Sequence, residues 1–115
     1  MKEVARALMA ALESGKRSAL ATVVRTSGST PQQAGARLLL MADGTTVGTV
    51  GGGAIEHRVL EALALCRRDG KPVLEVWDLT LDLGMCCGGR MEIFIEPIEA
   101  QPRLVVFGAG HVAQP

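Results

Sequence analysis

Residues 45–66 read TTVGTVGGGAIEHRVLEALALC. The apolar period changes part-way through this run, and that change decides the fold class. Thr45 to Val50 is short and rich in β-branched residues, as a strand is. After Gly51-Gly52-Gly53, the residues Ile55, Val59, Ala62, Leu63 and Cys66 recur at helical spacing and share one face. A strand that passes through a glycine turn into an amphipathic helix is an α/β unit.

Working outward, the apolar run Ala36 to Met41 is a strand, and Ala42-Asp43-Gly44 turns it back, since Asp-Gly readily supplies positive φ. Ser18 to Arg25 is small and β-branched and reads as a buried strand. Thr26 to Gly35 is a loop, long enough for a binding role. Near the start, Val4, Leu8 and Leu12 stand four apart with Ala5 and Met9 beside them, which predicts a helix over 3–14 with Gly15 as its C-cap. On the other side, Asp69-Gly70-Lys71-Pro72 ends the second helix. Strands follow at Val73–Leu79 and Arg90–Glu96, joined by a loop from Leu83 to Gly89. Pro97 to Pro102 is a polar linker, and Leu104 to Phe107 is a last apolar strand. The order α-β-β-β-α-β-β-β predicts an α/β fold. A mixed β-sheet covered by helices over 1–100 is followed, over 101–115, by a truncated Rossmann strand and Gly-rich turn.

Composition narrows the function. A 115-residue chain that is 48% hydrophobic forms one domain with a real core. Twelve basic residues balance twelve acidic ones, so no long-range field draws in nucleic acid or an anionic membrane. Aromatics are 3% and Tyr is absent, which removes the stacking platforms of single-strand binders. No apolar run reaches transmembrane length, and charges at Lys2, Glu3 and Arg6 interrupt any secretory signal. Three cysteines, two of them adjacent, are not a disulfide framework, so a reducing cytoplasm is expected.

Three glycine-rich loops carry the chemistry. Gly28-Ser29-Thr30-Pro31, closing at Gly35, offers the Ser29 and Thr30 hydroxyls to a phosphate, though the same residues suit an ordinary surface loop. Gly51, Gly52 and Gly53 let backbone approach a ligand without side chains between, and the helix start behind them offers free N–H groups to an anion. Glu56 stands in that helix's first turn, either as a ligand contact or as a plain helix-stabilising acid. Gly84-Met85-Cys86-Cys87-Gly88-Gly89 places two thiols among glycines, where sulfur is accessible as a soft ligand or nucleophile. Adjacent cysteines do not suit one tetrahedral metal. Cys66, on an apolar helix face, reads as buried and inert, and His57 as a solvated or half-buried helix residue. There is no Ser-His-Asp set and no paired catalytic carboxylates.

Taken in order, these loops resemble the XdhC/CoxI family. The family carries a Gly-Ser-x-Pro loop, a Gly-rich turn ending in an acid and a late Met-x-Cys-Gly-Gly element. Here these are Gly28-Ser29-Thr30-Pro31, then Gly48 to Gly53 with Glu56, then Gly84 to Gly89, with Glu96-Pro97 closing the domain. Gln32 stands where the family often has Arg, which removes a possible phosphate partner. Ala54 stands where it often has Cys. The resemblance implies a non-enzymatic accessory protein that binds molybdenum cofactor (molybdopterin) as cargo and protects it. It implies delivery to a molybdenum hydroxylase such as xanthine dehydrogenase, beside a cysteine desulfurase that supplies the terminal sulfur, and a homo-oligomer. The cofactor-binding residues would be Ser29, Thr30, Gly51, Gly52, Gly53, Glu56, Cys86, Cys87, Gly88 and Gly89.

Arg103 to Pro115 reads RLVVFGAGHVAQP, a strand with Gly108-x-Gly110-x-x-Ala113 that opens a Rossmann unit. The helix, second strand and acid that complete the fingerprint lie beyond Pro115, so the chain is expected to be a truncated piece. Leu104–Phe107 would then pack on its own domain, pair with another copy or remain disordered. The same fingerprint supports an alternative, a fragment of an NAD(P)-dependent oxidoreductase. A third reading, a thiol redox protein using Cys86 and Cys87, runs against the strain of a disulfide between neighbours.

Overall fold

The computed structural model describes residues 2–28, 33–79 and 89–100. Two helices and five strands follow in the order α1 (Lys2–Ser14), β1 (Ser18–Ser27), β2 (Arg37–Leu40), β3 (Thr46–Gly48), α2 (Gly53–Asp69), β4 (Val73–Asp78) and β5 (Arg90–Ile98). The strands make one sheet in the order β3-β2-β1-β5-β4. This is the α/β fold read from the sequence. One feature differs: all four described pairings are antiparallel, where a mixed sheet was expected. The one long crossover, through α2, carries the chain from one edge strand to the other, so it places no parallel neighbours side by side. The Leu104–Phe107 strand lies outside the described residues.

Alternation along β1 divides the core. Ala19, Ala21 and Val23 face α2 and join Ile55, Val59, Leu63 and Cys66 with Met91, Ile93 and Ile95 of β5. Leu20 points to the other face, where it meets Leu39 and Val4 of α1. The helices therefore cover opposite faces. Along α1 the buried residues are Val4 and Ala11, with Ala7 and Leu8 partly buried. Leu12 and Met9 are exposed, contrary to the four-residue stripe expected there. At 100° per residue, position i+7 returns to within roughly 20° of i, whereas i+8 has drifted by roughly 80°.

β5 also departs from the expected linker, running through Pro97 to Ile98 with Pro97 opposite Ala19. Proline is tolerated there because β4 stops pairing at Ile95, which leaves β5 with one neighbour. Arg17 ties this end together. Its Nε donates to Glu99 Oε1 at 3.2 Å, and its Nη1 donates to the Arg67 and Arg68 carbonyls of α2 at 3.2 and 3.1 Å. Gly70 ends α2 in the left-handed region at φ 72° and donates its N–H to the Cys66 carbonyl at 2.7 Å.

Candidate functional site: one glycine-bearing end of the sheet

The pairing registers show which strand ends lie together. Ser27 ends β1 opposite Arg90, which opens β5, and Asp78 ends β4 opposite the same residue. Arg37 opens β2 opposite Thr22, and Gly48 ends β3 opposite Leu38. Because neighbours alternate in direction, the β1–β2, β3–α2 and β4–β5 connections all leave the same end of the sheet. These are the three connections that carry the glycine motifs.

The β3–α2 turn is the described part of the site. Gly51, Gly52 and Gly53 all have positive φ, at 137°, 80° and 61°. L-residues resist such backbone, so three consecutive positions demand glycine. A Cβ at Gly52 or Gly53 would meet nothing within 4 Å, so the requirement is conformational and the space beside the turn is open. Gly52 caps α2 without a side-chain hydrogen bond. Gly48, at φ 91°, is different: a Cβ there would collide with the Arg37 carbonyl.

Glu56, the acid in the first turn of α2, is also tied to the turn before its helix. Thr49 Oγ1 donates to Glu56 Oε1 at 2.6 Å, and the Gly51 N–H donates to Thr49 Oγ1 at 3.1 Å. This relay ties the carboxylate in the first turn of α2 to the backbone of the glycine turn. The sequence reading missed Thr49, although a hydroxyl just before a glycine turn and seven residues ahead of a helix acid was the available signal. Arg37 braces the neighbouring loop, with Nη1 donating to the Gly35 carbonyl at 2.9 Å. Arg37 and Arg90 also bring basic residues to this sheet end, which the sequence reading sought only at position 32.

Of the remaining expected site residues, Gly89 is buried, and its carbonyl accepts from the Leu79 N–H at 2.8 Å. That bond closes the β4–β5 connection at its base, at the same sheet end as Gly51–Gly53 and Glu56. Ser29, Thr30, Cys86, Cys87 and Gly88 lie outside the described residues. Two surface cavities lie elsewhere. One of about 260 Å³ is lined by Ser14, Lys16, Ser18, Met41, Ala42 and Asp43, near the opposite end. The other, of about 240 Å³, lies between the last turns of α2 and the start of β4. Residues 29–32 and 80–88 lie outside the described residues.

Cys66 behaves as expected. It is 3% exposed, and burial pushes its thiol above the usual range. His57 is largely solvated, its Nε2 3.8 Å from Glu61 Oε2 one turn on. No helix among the described residues is long and apolar enough to cross a membrane.

Over 98 residues the chain is 41% identical to the uncharacterized protein YqeB of Escherichia coli (strain K12), covering 82% of this chain and 18% of YqeB. Its fold is similar to the crystal structure of a xanthine dehydrogenase from Bacillus halodurans. That likeness has a TM-score of 0.68 and 24% identity, and covers 81% of this chain and 30% of that one. The chain thus spans less than a third of the length of either protein. The profile of the XdhC and CoxI family matches residues 11–78, more than half of the 115 residues. This chain belongs to the XdhC and CoxI family.

Proposed function

We propose that this chain is the cargo-binding part of a molybdenum-cofactor accessory protein. In this reading it is not itself an enzyme. It holds molybdopterin-type cofactor in the cytoplasm, keeps it from oxidation, and supports its sulfuration by a cysteine desulfurase and its insertion into a molybdenum hydroxylase such as xanthine dehydrogenase. The observation that carries the reading is the gathering of three glycine-bearing connections at one sheet end, with the open Gly51–Gly53 turn among them.

The residue types fit such a cargo. Molybdenum cofactor is phosphate-bearing and sulfur-rich. The turn presents backbone N–H groups and the positive end of the α2 dipole without side chains in the way, as a phosphate requires. A helix dipole contributes only about 0.3–1 kcal/mol, so several N–H bonds must act together. Glu56, held by Thr49, restrains the turn and sets a limit on the negative charge it accepts. The β4–β5 connection, which leaves the same end of the sheet, carries Cys86 and Cys87. In this reading the thiol of Cys87 serves the molybdenum or dithiolene end, since soft sulfur suits a soft centre.

The test is retention of cargo. The chain is incubated anaerobically with molybdenum cofactor and passed through gel filtration, alongside Cys87→Ala and Gly52→Val. Wild type is expected to co-elute with cofactor, and each variant to retain at least about tenfold less, a loss of roughly 1.4 kcal/mol. Failure of wild type to retain cofactor, or retention by both variants equal to that of wild type, overturns the assignment.

A further inference from the structure

We propose that the cleft of about 260 Å³ between the end of α1 and the β2–β3 turn binds a small zwitterion, an α-amino acid with a short, neutral, polar side chain. The site is independent of the cargo reading, since it lies near the opposite end of the sheet from the glycine turn.

Its floor holds the observation that points to a ligand. Ser18 is 1% exposed, and its Oγ has no hydrogen-bond partner among the described residues. Among those residues it is the one buried side-chain oxygen or nitrogen left in that state. Buried hydroxyls are normally paired, because desolvating one without a bond is costly. Alternation along β1 turns Ser18 to the same face as Leu20, the face that α1 covers, and there it lines the cleft. A single water needs only about 10–15 Å³ of such space, so one water does not account for the cleft. The volume also falls below the roughly 300–1,000 Å³ of drug-sized sites. A molecule of a few heavy atoms fits between these limits.

The rims carry opposite charges. Lys16 stands just past α1, and Asp43 stands in the β2–β3 turn. The Thr45 hydroxyl and N–H donate to Asp43 Oδ1 at 2.7 and 2.9 Å. These bonds hold the carboxyl below its usual pKa, so it is ionised at neutral pH. On the other rim, the Ser14 hydroxyl accepts from the Lys16 N–H at 3.1 Å and donates to the Ala11 carbonyl at 2.7 Å. That pair of bonds fixes the turn that carries Lys16. No salt bridge joins Lys16 to Asp43. Two opposite charges that do not neutralise each other suit a ligand that carries both, with its carboxylate toward Lys16 and its ammonium toward Asp43. A simple anion would meet Asp43, and a simple cation would meet Lys16. Met41 and Ala42 offer apolar contact to the ligand's carbons. The Ser18 hydroxyl both donates and accepts, so it pairs with a short polar side chain.

A titration of the whole chain, followed through the amide resonances of Lys16, Ser18 and Asp43, tests the site. The ligands are L-serine, L-threonine, L-cysteine and L-asparagine. Ethanolamine and N-acetyl-L-serine serve as forms that lack the carboxylate and the ammonium. At least one of the four amino acids is expected to shift these resonances saturably at millimolar concentration. Both single-charge forms should bind at least about tenfold more weakly. Ser18→Ala, Lys16→Gln and Asp43→Asn should each weaken binding by at least about tenfold. Ser18→Ala removes an unpaired hydroxyl, so it is expected to fold with an undiminished Tm. If it does not fold, the other two variants carry the comparison. The proposal is overturned if none of the four amino acids binds, which leaves the Ser18 hydroxyl to water alone. Equal binding by ethanolamine or N-acetyl-L-serine, or undiminished binding in the folded variants, also overturns it.

Discussion

Gly52 stands at φ 80° and ψ 176°, a conformation close to glycine-only, with empty space where a Cβ would go. Gly52→Ala is therefore expected to lower stability by about 1–3 kcal/mol through backbone strain rather than collision, measured by urea unfolding. Gly48→Ala adds a clash with the Arg37 carbonyl, and its loss should be larger than that of Gly52→Ala. Cys66 gives a pH prediction. Its thiol is raised in the folded state, so above the ordinary thiol pKa of about 8.5 the unfolded chain ionises first. The unfolded state then binds fewer protons, and stability should fall as pH rises from there. Below that pH the contribution is fully present. Cys66→Ala should flatten this alkaline slope in thermal melts taken between pH 8 and pH 10.

Between helix and sheet, the α1 stripe shows how far periodicity carries. Val4 and Leu8 were legible as sheet-facing residues, but the choice between Ala11 and Leu12 was not. Leucine is the more apolar, and only the rotation of a helix already seated on β2 and β3 selects the alanine. Ala11→Lys is expected to cost at least about 2 kcal/mol, while Leu12→Lys should stay within about 0.5 kcal/mol, both read from chemical denaturation. The helix over 53–69 and its glycine stop were legible because Gly70 is the residue a left-handed cap selects. The Thr49–Glu56 hydrogen bond was not, since seven residues separate the partners across a turn whose course the sequence does not specify. β5 outran its predicted end because Pro97 punctuates a central strand, yet only the pairing shows that β5 has a single neighbour there.

Across the molecule, the sheet order brings distant glycine motifs to a common end. If the glycine turn and the β4–β5 connection serve one cargo, their substitutions should not act independently. The double variant Gly52→Val/Cys87→Ala is expected to lose less affinity than the two single losses combined, measured by titration calorimetry with molybdenum cofactor. Strict additivity would place the two elements in separate sites. Local chemistry was readable along the chain: β-branched runs prefer strands, a repeat near 3.6 prefers helix, and glycine clusters mark backbone that other residues resist. Those preferences act over a few residues, so the sequence already carried the α/β class, the element order and the three candidate loops. Antiparallel pairing of the described strands, the β3-β2-β1-β5-β4 order and the exposure of β4 depend on contacts between residues dozens of positions apart. Register is settled by packing both faces of β1 at once against two helices, and no local stretch of chain contains that information.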